Sequence, residues 1–402
     1  MRLWMLPVLL PALLLLVSCA GAPKKVIYSA EEFRDEVARR VGEDHPVFEV
    51  RFPELHDGER APYRMAVNLL RPPFELDTAS RERILDCVGF SGSEVVRLLQ
   101  LRDCVINRPS KIEYNGTLTI DAPACLDLRE GNCFALTNLF VGAARDAGLR
   151  SYYVMVEDVI TNRSAGNRVF HINHIVSGVV VNSGHRLVDF IPDPRQYHVR
   201  TTLSDIEAAG LYYNNLGAHL MLDGDLDGAA YLLGVAEQLY PGSYQVQNNL
   251  GLLHRRRGDL EAAEESFERA FGLARFPDLV MGNLLNLYRE TGQADRVDDL
   301  RRRLGRVTRR NPYLYIALAR ESAAEQDFGE ALTLLGEARR INRRIPAIYA
   351  LESEVWRALE KPRKVRRAQK RLQRLIELEG ASGEGEMVDG FGAGPGVENR
   401  VE

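Results

Sequence analysis

One cysteine stands where a nucleophile could be built. Cys133 follows a Gly131-Asn132 turn and opens a stretch with helical periodicity, whose apolar residues recur three and four positions apart: Leu136, Leu139, Phe140 and Ala143. Gly148 suits the C-terminal end of that helix. The N-terminus of a helix favours negative charge, and it therefore favours a thiolate. The pattern predicts either a reactive thiol or a small buried thiol that only packs.

The partners that a working thiol requires lie further along the chain. Two β-prone stretches, residues 174–181 and 186–191, are joined by a glycine-containing turn and predict a hairpin. His174 opens the first strand and Asp189 lies on the second, so pairing across the turn would make them neighbours. An imidazole near Cys133 can take its proton or hold the thiolate, and a carboxylate can fix the imidazole tautomer. The three residues therefore form a nucleophile–base–orienter set.

The order of these features resembles the transglutaminase-like superfamily. The resemblance covers roughly residues 110–200 and is carried by the GNC sequence with its helix, the strand up to Val154, the histidine before a strand and the Leu-Val-Asp sequence. It implies a papain-like α+β fold in which Cys133 is the nucleophile, His174 the base and Asp189 the orienting acid.

Two other histidines lie close to His174 in the sequence. His171 is a rival base, and His185 falls in the turn. His174 is preferred because it immediately precedes the apolar strand, as the histidine of the superfamily does. No side-chain oxyanion donor is identified, and the Cys133 backbone N–H can serve in part. The implied reaction is acyl transfer from an amide through an acyl-enzyme, with release to water or to an amine.

The first nineteen residues have the pattern of a targeting segment. Arg2 precedes an apolar run that is too short to span a bilayer well, and Leu16-Val17-Ser18-Cys19 resembles the lipobox of bacterial lipoproteins. That resemblance implies cleavage before Cys19 and lipid on its thiol. The residue after the cysteine is Ala20 and not Asp. In lipoproteins of double-membraned bacteria, which this segment resembles, that implies an outer-membrane anchor facing the periplasm. The alternative is an ordinary secretory signal.

Five cysteines limit the possible disulfides. If Cys19 is lipidated and Cys133 is a working thiol, three remain, and in an oxidising compartment they form at most one disulfide. Cys87 can pair with Cys104, or either can pair with Cys125. The spacings match no zinc pattern, and no cofactor or metal is predicted.

The composition indicates how many domains to expect and which kinds of partner are excluded. With 402 residues, 45% apolar residues and a net charge of −4, two or three folded domains are expected, with no nucleic-acid partner. Residues 20–28 are a tether. Residues 29–110 are a mainly helical region covering the next domain; it begins with a capping box at Ser29 and a helix to Val41, followed by a strand at 47–52.

The chain then divides further. Residues 111–204 form the α+β domain, and residues 380–402, which are rich in Gly and Glu, are expected to be disordered. From residue 205 to 379 the chain has a period of 34 residues. Leu216-Gly217 recurs as Leu250-Gly251, and small or apolar residues recur at one later position: Ala229, Ala263, Val297 and Ala331.

This part resembles tetratricopeptide repeats, most strongly in its first two units. The fold class is therefore a papain-like α+β domain followed by an all-α solenoid that binds a protein or peptide. The solenoid is weakest in its third unit, where Arg301 stands at a core position. A long basic helix, residues 361–378, closes it.

Three asparagines occupy equivalent positions in the predicted peptide groove. Asn215, Asn249 and Asn283 are spaced by 34 residues and can hydrogen-bond a peptide backbone. The alternative is that they contact the neighbouring helix. The sequence as a whole predicts a membrane-anchored cysteine-dependent hydrolase or acyltransferase, and the rival hypothesis is a non-catalytic envelope scaffold.

Overall fold

The computed structural model describes most of the chain between residues 25 and 383. The described ranges are 25–46, 48–52, 62–88, 92–106, 112–157, 174–182, 184–190, 199–274, 278–307, 312–324 and 326–383. Cys19 with the signal segment, His171 and residues 384–402 of the expected tail lie outside them. In the described part, no helix has the length and apolar character needed to cross a bilayer.

The N-terminal region contains three helices and a two-stranded sheet. Its elements are α1 (Ala30–Val41), β1 (Phe48–Phe52), β2 (Tyr63–Val67), α2 (Thr78–Val88) and α3 (Glu94–Ile106). The capping box at Ser29, the end of the first helix at Val41 and the strand β1 are confirmed. The mainly helical expectation for residues 29–110 misses β2, in which Met65 and Val67 are buried in alternation with exposed neighbours and which pairs antiparallel with β1.

A disulfide fixes two helices of this region to each other. Cys87 on α2 is bonded to Cys104 on α3, with a Cα–Cα distance of 6.0 Å, and Cys125 is a buried free thiol. The structure therefore selects one of the pairings that the sequence left open. Such a bond belongs in an oxidising compartment.

Removing this disulfide should cost stability. We expect Cys87→Ser with Cys104→Ser to lower the free energy of unfolding by about 3 kcal/mol, because the unfolded chain regains the entropy of a short closed loop. Urea unfolding with and without a reductant measures it. Reductant should lower the wild-type midpoint to that of the double variant and leave the variant unchanged; a reductant effect on both proteins would contradict the assignment.

The central region is one buried helix on an antiparallel sheet. Its elements are β3 (Glu113–Tyr114), α4 (Ala122–Leu128), β4 (Glu130–Gly131), α5 (Cys133–Asp146), β5 (Arg150–Glu157), β6 (His174–Val181), β7 (Gly184–Val188) and β8 (Val199–Leu203). The four-stranded sheet has the order β7-β6-β5-β8, with every neighbouring pair antiparallel. The α5 helix is confirmed and is buried on nearly all sides. The hairpin of β6 and β7 is confirmed, but its second strand begins at Gly184 and ends at Val188. His185 therefore lies in the strand and not in the turn, and Asp189 follows the strand.

The C-terminal part is a solenoid of antiparallel helix pairs. Its helices are α6 (Asp205–Asp223), α7 (Leu226–Leu239), α8 (Tyr244–Arg256), α9 (Leu260–Leu273), α10 (Asp278–Glu290), α11 (Ala294–Val307), α12 (Pro312–Ala324), α13 (Phe328–Ile341), α14 (Pro346–Ala358) and α15 (Pro362–Gly383). Because α15 continues to Gly383, residues 380–383 are helical and not part of a disordered tail. Extending a helix that already exists costs little.

The turn inside each pair shows the repeat most clearly. The backbone is left-handed at five positions that are 34 residues apart: Gly224, Gly258, Gly292, Gln326 and Glu360. Glycine adopts this conformation without a steric penalty, whereas the last two positions adopt it with a side chain. The same left-handed turn therefore recurs in all five helix pairs, and the array is a solenoid of tetratricopeptide type.

The solenoid and the central region share one core. A single cluster of buried apolar side chains runs from Phe33 to Leu253 and includes α5 and the first helices of the array. Arg145 near the end of α5 and Asp205 at the start of α6 form an ion pair at 2.8 Å. The first helix pair is therefore packed into the central region, and α6 begins one residue after its N-cap at Ser204.

Candidate functional site

Asn132 sets the first turn of the cysteine helix. Its side-chain oxygen accepts hydrogen bonds from the backbone N–H of Phe134 and Ala135, at 3.0 and 3.1 Å, and its amide group donates to Thr119 Oγ1 at 2.6 Å. A capping asparagine held by a second buried side chain fixes where the helix starts. Cys133 is therefore the first helical residue, and it is 7% exposed.

Gly131 is needed for the close packing before Cys133. A Cβ at this position would lie 2.5 Å from the Cβ of Ala135 and 3.1 Å from Cys125 Sγ. Any larger residue would therefore displace the start of the helix. The neighbouring thiol has a different environment, because complete burial raises the pKa of Cys125 far above its ordinary value. Cys125 is an unreactive reference for Cys133.

His174 and Asp189 are joined across the hairpin. His174 Nε2 lies 2.6 Å from Asp189 Oδ1. Asp189 follows the last residue of β7, and extending the strand register by one residue places it opposite Val176, two positions from the histidine on the same face. A carboxylate at Nε2 holds the ring proton on that nitrogen, so Nδ1, which is buried, is the nitrogen available to a thiol.

The imidazole interacts with Cys133 as well. Burial opposes a charge on His174, but hydrogen bonds to Asp189 and to Cys133, together with the charges of both groups, outweigh it and raise the pKa of the histidine to about 9. The ring is therefore an imidazolium at neutral pH. The structure thus brings the three side chains selected from the sequence into one contact chain, which is the arrangement of a thiolate–imidazolium pair supported by a carboxylate.

Two further contacts hold Cys133, His174 and Asp189 in position relative to one another. Thr137, one helical turn after Cys133, donates from Oγ1 to the carbonyl of Ile175 at 3.2 Å, and thereby ties the helix to the residue beside His174. Further along α5, Phe140 packs edge-on against Phe190, the residue after Asp189, with ring centroids 5.5 Å apart. Sequence reasoning missed both contacts; the i, i+4 spacing of Thr137 from Cys133 was the available signal.

The other histidine of the hairpin lies outside this contact chain. His185 Nδ1 lies 2.7 Å from the hydroxyl of Tyr152, at an exposed position of the sheet. His185 is thus a matched control for His174, since both lie on the same hairpin. The rival His171 is in the part of the chain that is not described.

Stability should fall as His174 loses its proton. The pKa of this group is about 9 when folded against an ordinary 6.5, so its stabilisation is fully present below pH 6.5 and is lost as the pH rises through 9. We expect the free energy of unfolding to fall by up to about 3 kcal/mol over that interval. Urea titrations of wild type, His174→Gln and His185→Gln check it: only His174→Gln should lose the slope, and an unchanged slope in that variant would refute the assignment.

The asparagines of the predicted peptide groove form a ladder between repeats. Asn249 donates to Asn214 at 2.9 Å, and Asn283 donates to Asn248 at 2.7 Å. The alternative that these side chains contact the neighbouring helix is therefore present for Asn249 and Asn283, whereas Asn215 accepts from Asn214 of its own helix at 3.4 Å. Asn215, Asn249 and Asn283 remain partly exposed, so a role in binding a peptide stays a prediction.

The described residues include no group of three or more His, Cys, Asp or Glu side chains arranged to hold a metal ion. No protein-family model and no curated protein sequence matches the chain. Solved structures with similar folds include PilF of Pseudomonas aeruginosa, with 14% identity, a TM-score of 0.32 and coverage of 45% of this chain and 87% of that one.

Two further structures are similar at this level. BtubC from P. vanneervenii has 14% identity, a TM-score of 0.36 and coverage of 49% of this chain and 89% of that one. YrrB, described as a TPR protein with an unusual peptide-binding site, has 13% identity, a TM-score of 0.29 and coverage of 41% and 86%. These are distant likenesses, and no function is carried from them to this chain.

Proposed function

We propose that this chain is a thiol acyl-transfer enzyme, a peptidase, amidase or transglutaminase-like enzyme, in which Cys133 is the nucleophile. The observation that supports it is the contact chain from Cys133 through His174 to Asp189, with the pKa of the histidine raised to about 9. A packed structural thiol does not need a buried imidazole and a carboxylate 2.6 Å from that imidazole, because each costs desolvation.

The chemistry follows from the protonation states. The Cys133 thiolate attacks an amide carbonyl carbon, a C–S bond forms, and His174 donates its proton to the departing amine as the C–N bond breaks. Water or a second amine then attacks the thioester while the neutral imidazole takes its proton. The acyl group leaves Cys133 and the thiolate returns. Asp189 orients the ring throughout.

We place this enzyme in the bacterial envelope, anchored to the outer membrane through lipid on Cys19 and facing the periplasm; the Cys87–Cys104 disulfide suits that compartment. The solenoid presents a protein or peptide to the site, with Asn215, Asn249 and Asn283 at its groove. Cys19→Ala should move the protein from the membrane to the soluble fraction. Unchanged fractionation would exclude the anchor.

The alternative is a scaffold that uses both parts only for binding. It is favoured by the burial of Cys133, which is 7% exposed, and by the use of the asparagines between helices. Intact-mass measurement after incubation with a library of peptide amides separates the two. An acyl adduct on Cys133 that hydroxylamine removes, and that Cys133→Ala lacks, supports the enzyme; no adduct in any peptide pool supports the scaffold.

A further inference from the structure

An arginine-lined groove lies at the C-terminal end of the solenoid. It has a volume of about 840 Å³ and lies between α13, α14 and α15. Six arginines line it: Arg339, Arg340, Arg343, Arg344, Arg371 and Arg374. It is far along the chain from the asparagine ladder, and one of its walls belongs to the basic helix that the sequence indicates at residues 361–378.

The positive charge in this groove is only partly neutralised. Glu337 pairs with Arg340 at 2.9 Å, and Glu352 pairs with Arg339. Within the described part of the chain, the remaining four arginines form no ion pair with a carboxylate: Arg343, Arg344, Arg371 and Arg374. The groove therefore carries an excess of about four positive charges, although the whole chain has a net charge of −4.

Helix dipoles explain only part of this set. Arg339 and Arg340 are in the last turn of α13, where positive side chains are favoured in any helix. Arg371 and Arg374 lie in the middle of the 22-residue helix α15, far from either end. A dipole cannot account for them, and they form the wall of the groove that faces α13 and its following turn.

The positive surface continues beyond this groove. A second groove, of about 390 Å³, shares Arg339 and Arg371 with the first and extends along α15 to Arg367 and Lys364. From Lys364 to Arg374 the helix rises about 15 Å, which is the length of roughly five residues of an extended chain. A single small anion would occupy a fraction of this surface, whereas an extended polyanion fits its length.

Two aromatic rings indicate which kind of polyanion fits the groove: a nucleic acid, an anionic membrane or an acidic peptide. Arg371 lies over the ring of Tyr349 at 5.8 Å, and Lys364 lies over the ring of Trp356 at 3.8 Å. Because the protein's own cations cover these rings, they are not open platforms for nucleic-acid bases. The arginines line a groove between three helices and do not form one flat face toward a membrane surface. Carboxylates on a flexible chain can reach both walls and pair with arginine in bidentate fashion.

We propose that this groove binds an acidic, extended segment of a partner protein. The groove is a second contact surface, separate from the peptide groove of the asparagines, and it does not depend on the reactivity of Cys133. An inactive thiol would leave this proposal unaffected.

Fluorescence polarisation of a labelled glutamate-rich peptide with the full chain tests the proposal. Arg371→Gln with Arg374→Gln should weaken binding by about tenfold or more, since two charged hydrogen-bonding partners are lost. Arg363→Gln with Arg366→Gln is the matched control. It removes the same charge from the same helix at positions outside both grooves, and it should change the affinity less than twofold.

A second double variant, a salt titration and two competing ligands complete the test. Arg343→Gln with Arg344→Gln, in the exposed turn after α13, should also weaken binding, and it replaces the first variant if that one fails to fold. Affinity should fall as salt is added. Equal losses in the groove and control variants, absence of peptide binding, or tighter binding to a single-stranded oligonucleotide or to phosphatidylglycerol vesicles would overturn the proposal.

Discussion

Replacing His174 with alanine should slow the alkylation of Cys133 by iodoacetamide about 30-fold near neutral pH. The thiolate is the reactive form, and an ordinary thiol is only a few per cent ionised at that pH. On the proposed function, the His174 imidazolium, whose pKa is about 9, holds the thiolate as an ion pair. Loss of the ring removes that partner, and acyl transfer should fall further, by roughly 10²–10⁴-fold.

The chain supplies the controls for this measurement. Peptide mass spectrometry resolves Cys133 from Cys125, which burial should keep unlabelled in the folded protein. His185→Ala removes the exposed histidine of the same hairpin and should leave the rate unchanged. Asp189→Asn should have an intermediate effect, because the ring stays but loses the carboxylate that favours its charge. A rate equal to that of free cysteine in both wild type and His174→Ala would refute the ion pair.

The proximity of the three candidate site residues could be predicted from sequence because short-range geometry brings two of them together. A tight turn forces the strands that contain His174 and Asp189 to pair, and helical periodicity after Cys133 fixes where its helix begins. The hydrogen bonds that hold the start of that helix could not be predicted from such local patterns. Asn132 donates to Thr119 across a loop, and nothing in the spacing of two polar residues specifies such a contact.

In the solenoid, too, features that depend on nearby residues could be predicted, and packing between residues far apart in the chain could not. Its 34-residue period is a local signal that predicted the helix pairs, and the structure places turn glycines at the same period: Gly224, Gly258 and Gly292. The strand β2 was missed because its five residues alternate too briefly to outweigh the helical pattern around them. The packing of α6 into the central core depends on residues far apart in the chain, such as Tyr213, whose hydroxyl donates to the carbonyl of Leu69.

Replacing Asp205 with alanine should lower the free energy of unfolding by about 3–5 kcal/mol. Its carboxylate is 1% exposed and accepts hydrogen bonds from both terminal nitrogens of Arg145 and from the backbone N–H of Tyr28, each at 2.8 Å. Removing one partner leaves the guanidinium charged while its side chain is only 16% exposed, and that is the costly way to break an ion pair. Arg145 cannot turn to solvent easily, since it also donates to the carbonyl of Ser151 and lies over the ring of Phe74.

The neighbouring ion pair is the matched control. Asp146, the next residue of the same helix, accepts from Arg81 at 2.8 Å near the surface, and Asp146→Ala should cost less than about 1 kcal/mol. Chemical denaturation of both variants, followed by tyrosine fluorescence and far-UV circular dichroism, measures the difference. Because Asp205 joins the cysteine helix to the first helix of the solenoid within one core, both probes should shift together. Equal, small losses in the two variants would show that the solenoid is held to the central region by apolar packing alone.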